Sequence, residues 1–107
     1  MSNTSNTSVT KCRARAYAYL TELIGSSPEA LTWDATHRLQ GHVHVGRREL
    51  VVIATRDADH APVVLTAPGW DAVRRCPSEQ RRELLGTCAI TDRSGLVSVL
   101  EADELAA

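Results

Sequence analysis

The spacing of the apolar residues changes near Leu31 of this 107-residue chain, and that change restricts the fold more than any other feature. Between Val9 and Ile24 apolar residues recur at helical spacing, which predicts an amphipathic helix that ends at Gly25. From Leu31 onwards apolar and polar residues alternate, as they do in a half-buried β-strand. A helix followed by alternating strands is typical of the α+β class.

The strongest strand signal lies in the middle of the chain. Leu50 to Ile53 is apolar on both faces, so we expect a central strand that is covered on both sides, by helices or by another subunit. Another strand is predicted from Pro62, at a first position where proline is tolerated. The sheet is therefore expected to be antiparallel, with four to six strands and helices packed on one of its faces.

The second half of the chain predicts two short helices and then a hairpin. The helices flank Pro77; Ser78 is the expected cap of the second, and Gly86 its expected end. The segments "TCAIT" and "LVSVL" flank "DRSG", which has the Asp and Gly of a type I turn, so we expect a C-terminal β-hairpin.

Composition limits the setting in which the chain works. Residues 1–8 are predicted to form a flexible polar tail, and 9–107 a single α+β domain. There is no apolar leader or spanning segment, and the three cysteines form no CxxC motif, so a reducing, cytoplasmic compartment is expected. The cysteines, Cys12, Cys76 and Cys88, are interpreted as core residues. Eleven arginines against one lysine are typical of a GC-rich, bacterial genome.

The stretch "GHVHVGRRE" carries the clearest chemical pattern. If Gly46 and Arg47 form a two-residue turn, His44 pairs with Glu49 across the hairpin. His42, His44 and Glu49 then share one face of the sheet, where they could bind zinc or another divalent metal. The competing interpretation is a cross-strand His–Glu pair on a partly exposed face, with no ligand.

The same residues resemble the H-x-H-x4-E core of the first cupin motif. That resemblance implies a β-barrel in which His42, His44 and Glu49 bind a metal. The cupin pattern has glycines where Thr36 and Arg56 stand. Its second motif needs a later His and Asn, whereas this chain has no His after His60 and no Asn after Asn6. The resemblance covers nine residues and leaves out the fourth ligand, so the chain is not assigned to that family.

Other chemistry-bearing residues have ordinary structural interpretations beside their functional ones. Asp57 and Asp59 could bind a cation, but turn formation accounts for them. Trp33 and Trp70 are expected in the core, or at an interface if exposed. Two arginine pairs could contact nucleic-acid phosphates, although acidic residues interleave with them and the net charge is −1. These arginines are Arg74, Arg75, Arg81 and Arg82.

The absence of a phosphate-binding loop and of an assembled catalytic group favours a non-enzymatic protein without a cofactor. We expect a small cytoplasmic binding or regulatory protein that acts through protein–protein contacts, in the form of a homodimer. Two alternatives stay open: a DNA-binding regulator that uses the four arginines, and a small metal-dependent enzyme that uses His42, His44 and Glu49. Co-purification with a larger enzyme would instead indicate an accessory subunit.

Overall fold

The computed structural model of the chain describes residues 8–106, and the side chains of residues 8–102. The predicted tail therefore lies outside the described residues except for Ser8. Four helices and four strands follow each other in the order α1 (Val9–Ile24), β1 (Thr32–Trp33), β2 (Gln40–Val45), β3 (Arg48–Ile53), β4 (Val63–Thr66), α2 (Ala67–Arg75), α3 (Ser78–Cys88) and α4 (Arg93–Ala106).

The first helix forms where the apolar spacing predicts it. Ser8 caps its start by accepting a hydrogen bond from the Lys11 N–H at 3.2 Å. Gly25 ends it with a φ of 90°, a left-handed conformation that favours glycine. The buried residues repeat every three or four positions, at Cys12, Ala16, Leu20 and Leu23. This stripe packs against the sheet and supplies much of the core.

The sheet is an antiparallel meander in the order β1-β2-β3-β4. Val45 lies opposite Arg48 and His44 opposite Glu49, which confirms the predicted hairpin register. Gly46 has a φ of 63° at the first central position of the turn, where a type II′ turn requires a positive φ. As predicted, β3 lies inside the sheet and is buried from Leu50 to Val52.

Helices cover both faces of the sheet, so the expectation that they pack on one face is wrong. The face that carries Val43, Leu50 and Val52 joins the α1 stripe and Leu96 of α4 in one core cluster. The opposite face carries Val51 and Leu65, which are buried near α2 together with its Val73. The reason lies in β3, because a strand that is apolar on both faces needs cover on both.

The C-terminal hairpin is also a wrong prediction, because residues 93–106 form α4. Asp92 accepts a hydrogen bond from the Gly95 N–H through Oδ1 at 2.8 Å, and its carbonyl accepts one from the Leu96 N–H. These bonds cap a helix. One turn of helix resembles a type I turn locally, so the same Asp-x-x-Gly signal serves both structures. Burial of Leu96 against the core then favours the helix.

The boundaries of α3 differ from the prediction in a smaller way. Ser78 is the first residue of α3, not its cap, and Gly86 lies inside this helix, which ends at Cys88.

The Ile90 N–H donates to the Val64 carbonyl at 2.7 Å and so occupies part of the outer edge of β4. Within residues 8–106, no helix is both long enough and apolar enough to cross a membrane.

Candidate functional site

A cleft opens beside α2 because this helix covers only part of its face of the sheet. α2 contacts β3 and β4, while β2 continues beyond it on the same face. The resulting space, here called the α2 cleft, has two halves that share Gln40 and Trp70 as lining residues. One half encloses about 460 Å³ and the other about 380 Å³. Cavities of this size are typical of binding sites.

The larger half, here the histidine half, contains the histidine of the hairpin. His42 Nδ1 lies 3.0 Å from Glu49 Oε2, and His42 Nε2 lies 3.2 Å from Gln40 Nε2. An imidazole that donates from Nδ1 to Glu49 and accepts at Nε2 from Gln40 satisfies both contacts. The other residues that line this half are Asp34, Val51, Ala67, Pro68, Asp71 and Arg74.

The structure brings together two of the three predicted metal ligands. His42, His44 and Glu49 do share one face, and His44 lies directly opposite Glu49 in the ladder. The Glu49 carboxylate nevertheless bonds diagonally to His42. Over residues 8–106, no three side chains of His, Cys, Asp or Glu are grouped so that they could hold one metal ion.

The smaller half, here the arginine half, combines apolar and cationic side chains. Leu39, Ile53 and Trp70 supply apolar surface, and Arg38 and Arg56 supply charge. Thr36 and His37 complete the lining from the loop between β1 and β2. The half therefore suits a ligand that is partly apolar and carries negative charge.

Asp34 holds the loop that borders both halves. Its Oδ1 accepts hydrogen bonds from the His37 N–H at 2.6 Å and from the Thr36 N–H at 2.7 Å. Both bonds lower the pKa of Asp34 below its ordinary value, and the bond from His37 has the larger effect. The carboxylate is thereby kept ionised and fixed to its own loop at neutral pH.

Trp70 stands where the two halves meet. Thr66, the last residue of β4, caps α2 by accepting from the Gly69 N–H at 3.0 Å, so the helix starts without an intervening loop. The ring of Trp70 is half-buried, and its Nε1–H is a buried donor without a hydrogen-bond partner in the described part of the chain. An unpaired buried donor costs about 1–3 kcal/mol, which makes this atom unusual in a folded protein.

Trp33 has a different environment from Trp70. It packs against the main core on the opposite face, and the Arg13 guanidinium lies 5.1 Å from its ring centroid. Arg13 Nε also donates to the Arg38 carbonyl at 2.9 Å. Trp33 therefore connects α1 to the sheet, as expected for a core tryptophan.

The four predicted nucleic-acid contacts are exposed around the junction of α2 and α3. Arg74 and Arg75 lie 3.1 Å and 3.5 Å from the two carboxylate oxygens of Asp71. Arg81 donates to the carbonyls of Arg74 and Cys76. Arg82 is exposed on α3. The Asp71 pairs reduce the positive charge that this surface offers to a phosphate backbone.

Of the remaining candidates, Cys12 is buried in the core as predicted, whereas Cys76 and Cys88 are half-buried free thiols outside the core cluster. The Asp57 carboxylate accepts from the Asp59 N–H at 2.9 Å and lies 2.7 Å from His60 Nδ1. The hydrogen bond from the Asp59 N–H lowers the pKa of Asp57 most, and the hydrogen bond with His60 lowers it further. These contacts form an exposed turn, in agreement with the turn interpretation.

Gln40 was not predicted as a site residue, whereas Trp70 was expected in the core, or at an interface if exposed. The signal for Trp70 was a tryptophan on a helix that follows a strand directly. Which part of the sheet α2 leaves uncovered depends on tertiary packing, so the sequence could not predict it.

Comparison with known proteins gives no matching family model, no matching curated protein and no matching solved structure.

Proposed function

We propose that this protein is a small, non-enzymatic binding or regulatory protein that acts through protein–protein contacts, with the α2 cleft as its docking site. The observation that carries the proposal is Trp70, a half-buried tryptophan that lines both halves of the cleft. A partner that covers the exposed part of its ring would bury more of this large apolar surface.

The composition of the cleft supports a protein partner. Tryptophan and arginine are the residues most enriched among interface hot spots, and Trp70, Arg38 and Arg56 line the same half. The cleft also offers two adjacent hollows that share Gln40 and Trp70 as lining residues, and so presents more surface than a single pocket. We further propose a cytoplasmic location, which fits the thiols of Cys76 and Cys88, neither of which is in a disulfide.

The hydrogen bonds of His42 favour binding over metal-dependent catalysis. Both of its ring nitrogens are engaged within the sheet, by Glu49 and Gln40. Metal binding through this imidazole would have to break one of these contacts. Zinc that is bound stoichiometrically and lost on His42→Ala would therefore overturn the non-enzymatic proposal.

Affinity capture with a blocked cleft tests the docking site. Thr36 lines the arginine half and is exposed, and its loop contact to Asp34 uses only its backbone N–H. Thr36→Trp should therefore fill the cleft without disturbing the fold. Thr10→Trp, on the exposed side of α1, is the matched control.

The tagged wild-type chain and both variants would be used to capture proteins from the native host. We expect one protein at near-equal stoichiometry on the wild-type chain and on Thr10→Trp, and its loss on Thr36→Trp. Equal capture by both variants would overturn the assignment of the cleft. Absence of any stoichiometric protein on the wild-type chain would overturn the binding function itself.

A further inference from the structure

We propose that the histidine half of the α2 cleft receives a basic side chain, an arginine or a lysine, of the partner protein. The inference rests on the proposed function and specifies which group of the partner enters this half. It depends on three observations: the charges that line the half, the second carboxylate oxygen of Asp34, and the half-buried ring of Trp70.

The charged groups that line the histidine half leave one negative charge in excess. Asp34 and Asp71 each contribute a carboxylate, and of the described lining residues Arg74 alone contributes a guanidinium. Arg74 Nη2 lies 3.1 Å from Asp71 Oδ1, so these two charges offset each other. The side chain of Arg75, which also pairs with Asp71, is 80% exposed and does not line this half. With His42 neutral, the excess charge is that of Asp34.

One oxygen of the Asp34 carboxylate is available to a ligand. Oδ1 accepts both backbone N–H bonds of the loop, from Thr36 and His37, and it also makes the 3.7 Å contact with His37 Nδ1. Oδ2 has no partner among the side chains of residues 8–102, and the Asp34 side chain is partly exposed. Because the backbone bonds lower the pKa of Asp34, the carboxylate is ionised at neutral pH. A basic side chain that donates to it would form a charge-assisted hydrogen bond.

The half-buried ring of Trp70 gives the same half a second surface that favours a cation. A guanidinium or ammonium group is attracted to the face of a tryptophan ring. The protein already contains one such contact, because the Arg13 guanidinium lies 5.1 Å from the ring centroid of Trp33. Ala67 and Pro68 line the half as well, and the methylene groups of an arginine or lysine can pack on them.

The size of the histidine half favours a basic group that belongs to a protein segment. The half encloses about 460 Å³, which is in the range of sites that hold a whole ligand. A small free amine would leave much of this space to water. A basic side chain and its neighbours in a peptide would fill more of it and cover more of the Trp70 ring.

Titration of the full ¹⁵N-labelled chain with short synthetic peptides tests the inference. The probe is a peptide with blocked ends and one arginine among alanines, and its control has citrulline, the uncharged isostere, in place of the arginine. Asp34→Asn removes the charge and keeps an oxygen that can accept the two backbone N–H bonds. Asp59→Asn is the matched control, because it removes the same charge from an exposed position that does not line the cleft.

We expect the wild-type chain to bind the arginine peptide about tenfold more tightly than the citrulline peptide. This preference should disappear in Asp34→Asn, persist in Asp59→Asn, and weaken as salt is added. Equal binding of the two peptides by the wild-type chain, or no binding of the arginine peptide, would overturn the inference. A preference that survives Asp34→Asn, or that both variants lose equally, would also overturn it.

The wild-type spectrum gives a second measurement that does not depend on how a variant folds. The arginine peptide should shift the indole signal of Trp70 and the amide signals of Thr36 and His37, whose N–H groups bond to Asp34. It should leave the indole signal of Trp33, on the opposite face, nearly unchanged. Shifts that are confined to other parts of the chain would overturn the assignment to this half.

Further results separate this inference from the proposed function. A captured partner that is lost on Thr36→Trp, but whose docking segment has no arginine or lysine, would overturn the inference and leave the proposed function intact. Binding of N-acetylarginine amide as tightly as the peptide would show that the occupant is a small cation. A wild-type dimer that Asp34→Asn dissociates would show that the occupant is a second copy. Either of these two results would overturn the assignment to a partner protein.

Discussion

At the scale of single residues, Trp70 and Gln40 determine the chemistry of the cleft. Trp70 contributes a half-buried indole ring to both halves, and Gln40, which also lines both, contacts the imidazole of His42. The local sequence predicted that His42, His44 and Glu49 would share a face, because register alone decides this. It could not predict which histidine Glu49 would bond, because that depends on side-chain rotamers.

Asp34 gives a residue-scale prediction about pH. Because its pKa is lowered in the folded state, its ionised form contributes stability above the unfolded value, roughly 3.9. That contribution is lost as the pH falls through the folded-state pKa. We therefore expect Asp34→Ala to lower Tm at neutral pH, and the difference from wild type to narrow at about pH 3.

Thr36→Ala, a non-titrating change in the same loop, is the control for this measurement. Its difference in Tm from the wild-type chain should be similar at both pH values. If Asp34→Ala shows the same difference at both pH values, the ionised carboxylate does not stabilise the loop.

Two glycines give opposite predictions for the same substitution. Gly46 has a φ of 63°, and a methyl group added there would meet open space, so Gly46→Ala should cost about 1–2 kcal/mol through backbone strain alone. Gly86 lies inside α3, also with open space, so Gly86→Ala should gain about 0.5–1 kcal/mol. Urea unfolding measures the free energy of unfolding of each variant. A change of the same sign in both variants would contradict this explanation.

At the scale of elements, local signals predicted the boundaries of α1 and the register of the β2–β3 hairpin. Both are decided within a few residues, by Ser8 and Gly25 at the ends of the helix and by Gly46 in the turn. The prediction failed at α4, where valines at 97 and 99 and the turn signal at Asp92 suggested strands. Contacts of Leu96 with core residues distant in sequence determine that this segment is helical, and no local sequence pattern predicts those contacts.

The two apolar neighbours Leu96 and Val97 test the helix. Leu96 is 3% exposed and belongs to the core, whereas Val97 is 43% exposed. Leu96→Ala should therefore destabilise the protein by about 2–5 kcal/mol. Val97→Ala should change stability by less than about 0.5 kcal/mol. Thermal unfolding of both variants measures the difference, and equal losses would indicate that both side chains are buried, contrary to the observed packing.

At the scale of the whole molecule, the cleft exists because the helices cover the two faces of the sheet unequally. α1 and α4 cover one face, and the short α2 covers only part of the other. The sequence predicted a central strand buried on both sides, but it did not indicate that the second cover would be incomplete. That outcome depends on the nine-residue length of α2 and on the absence of a loop before it. The lining residues of the cleft therefore come from segments distant in sequence.

Charge gives a whole-molecule prediction about nucleic acid. The net charge is −1, and Asp71 pairs with both Arg74 and Arg75. We expect weak retention on DNA at about 0.15 M salt, with no difference between the wild-type chain and Arg74→Ala/Arg75→Ala. Salt-dependent binding that this variant loses would instead support a DNA-binding regulator.

The most direct test of the docking site uses the two indole N–H signals of the ¹⁵N-labelled chain, which contains two tryptophans. Adding the captured partner should shift the Trp70 signal, because the partner covers the indole ring, and leave the signal of Trp33 on the opposite face nearly unchanged. A saturating partner that moves neither signal, or that moves only Trp33, would contradict the assignment of the α2 cleft as the site of binding.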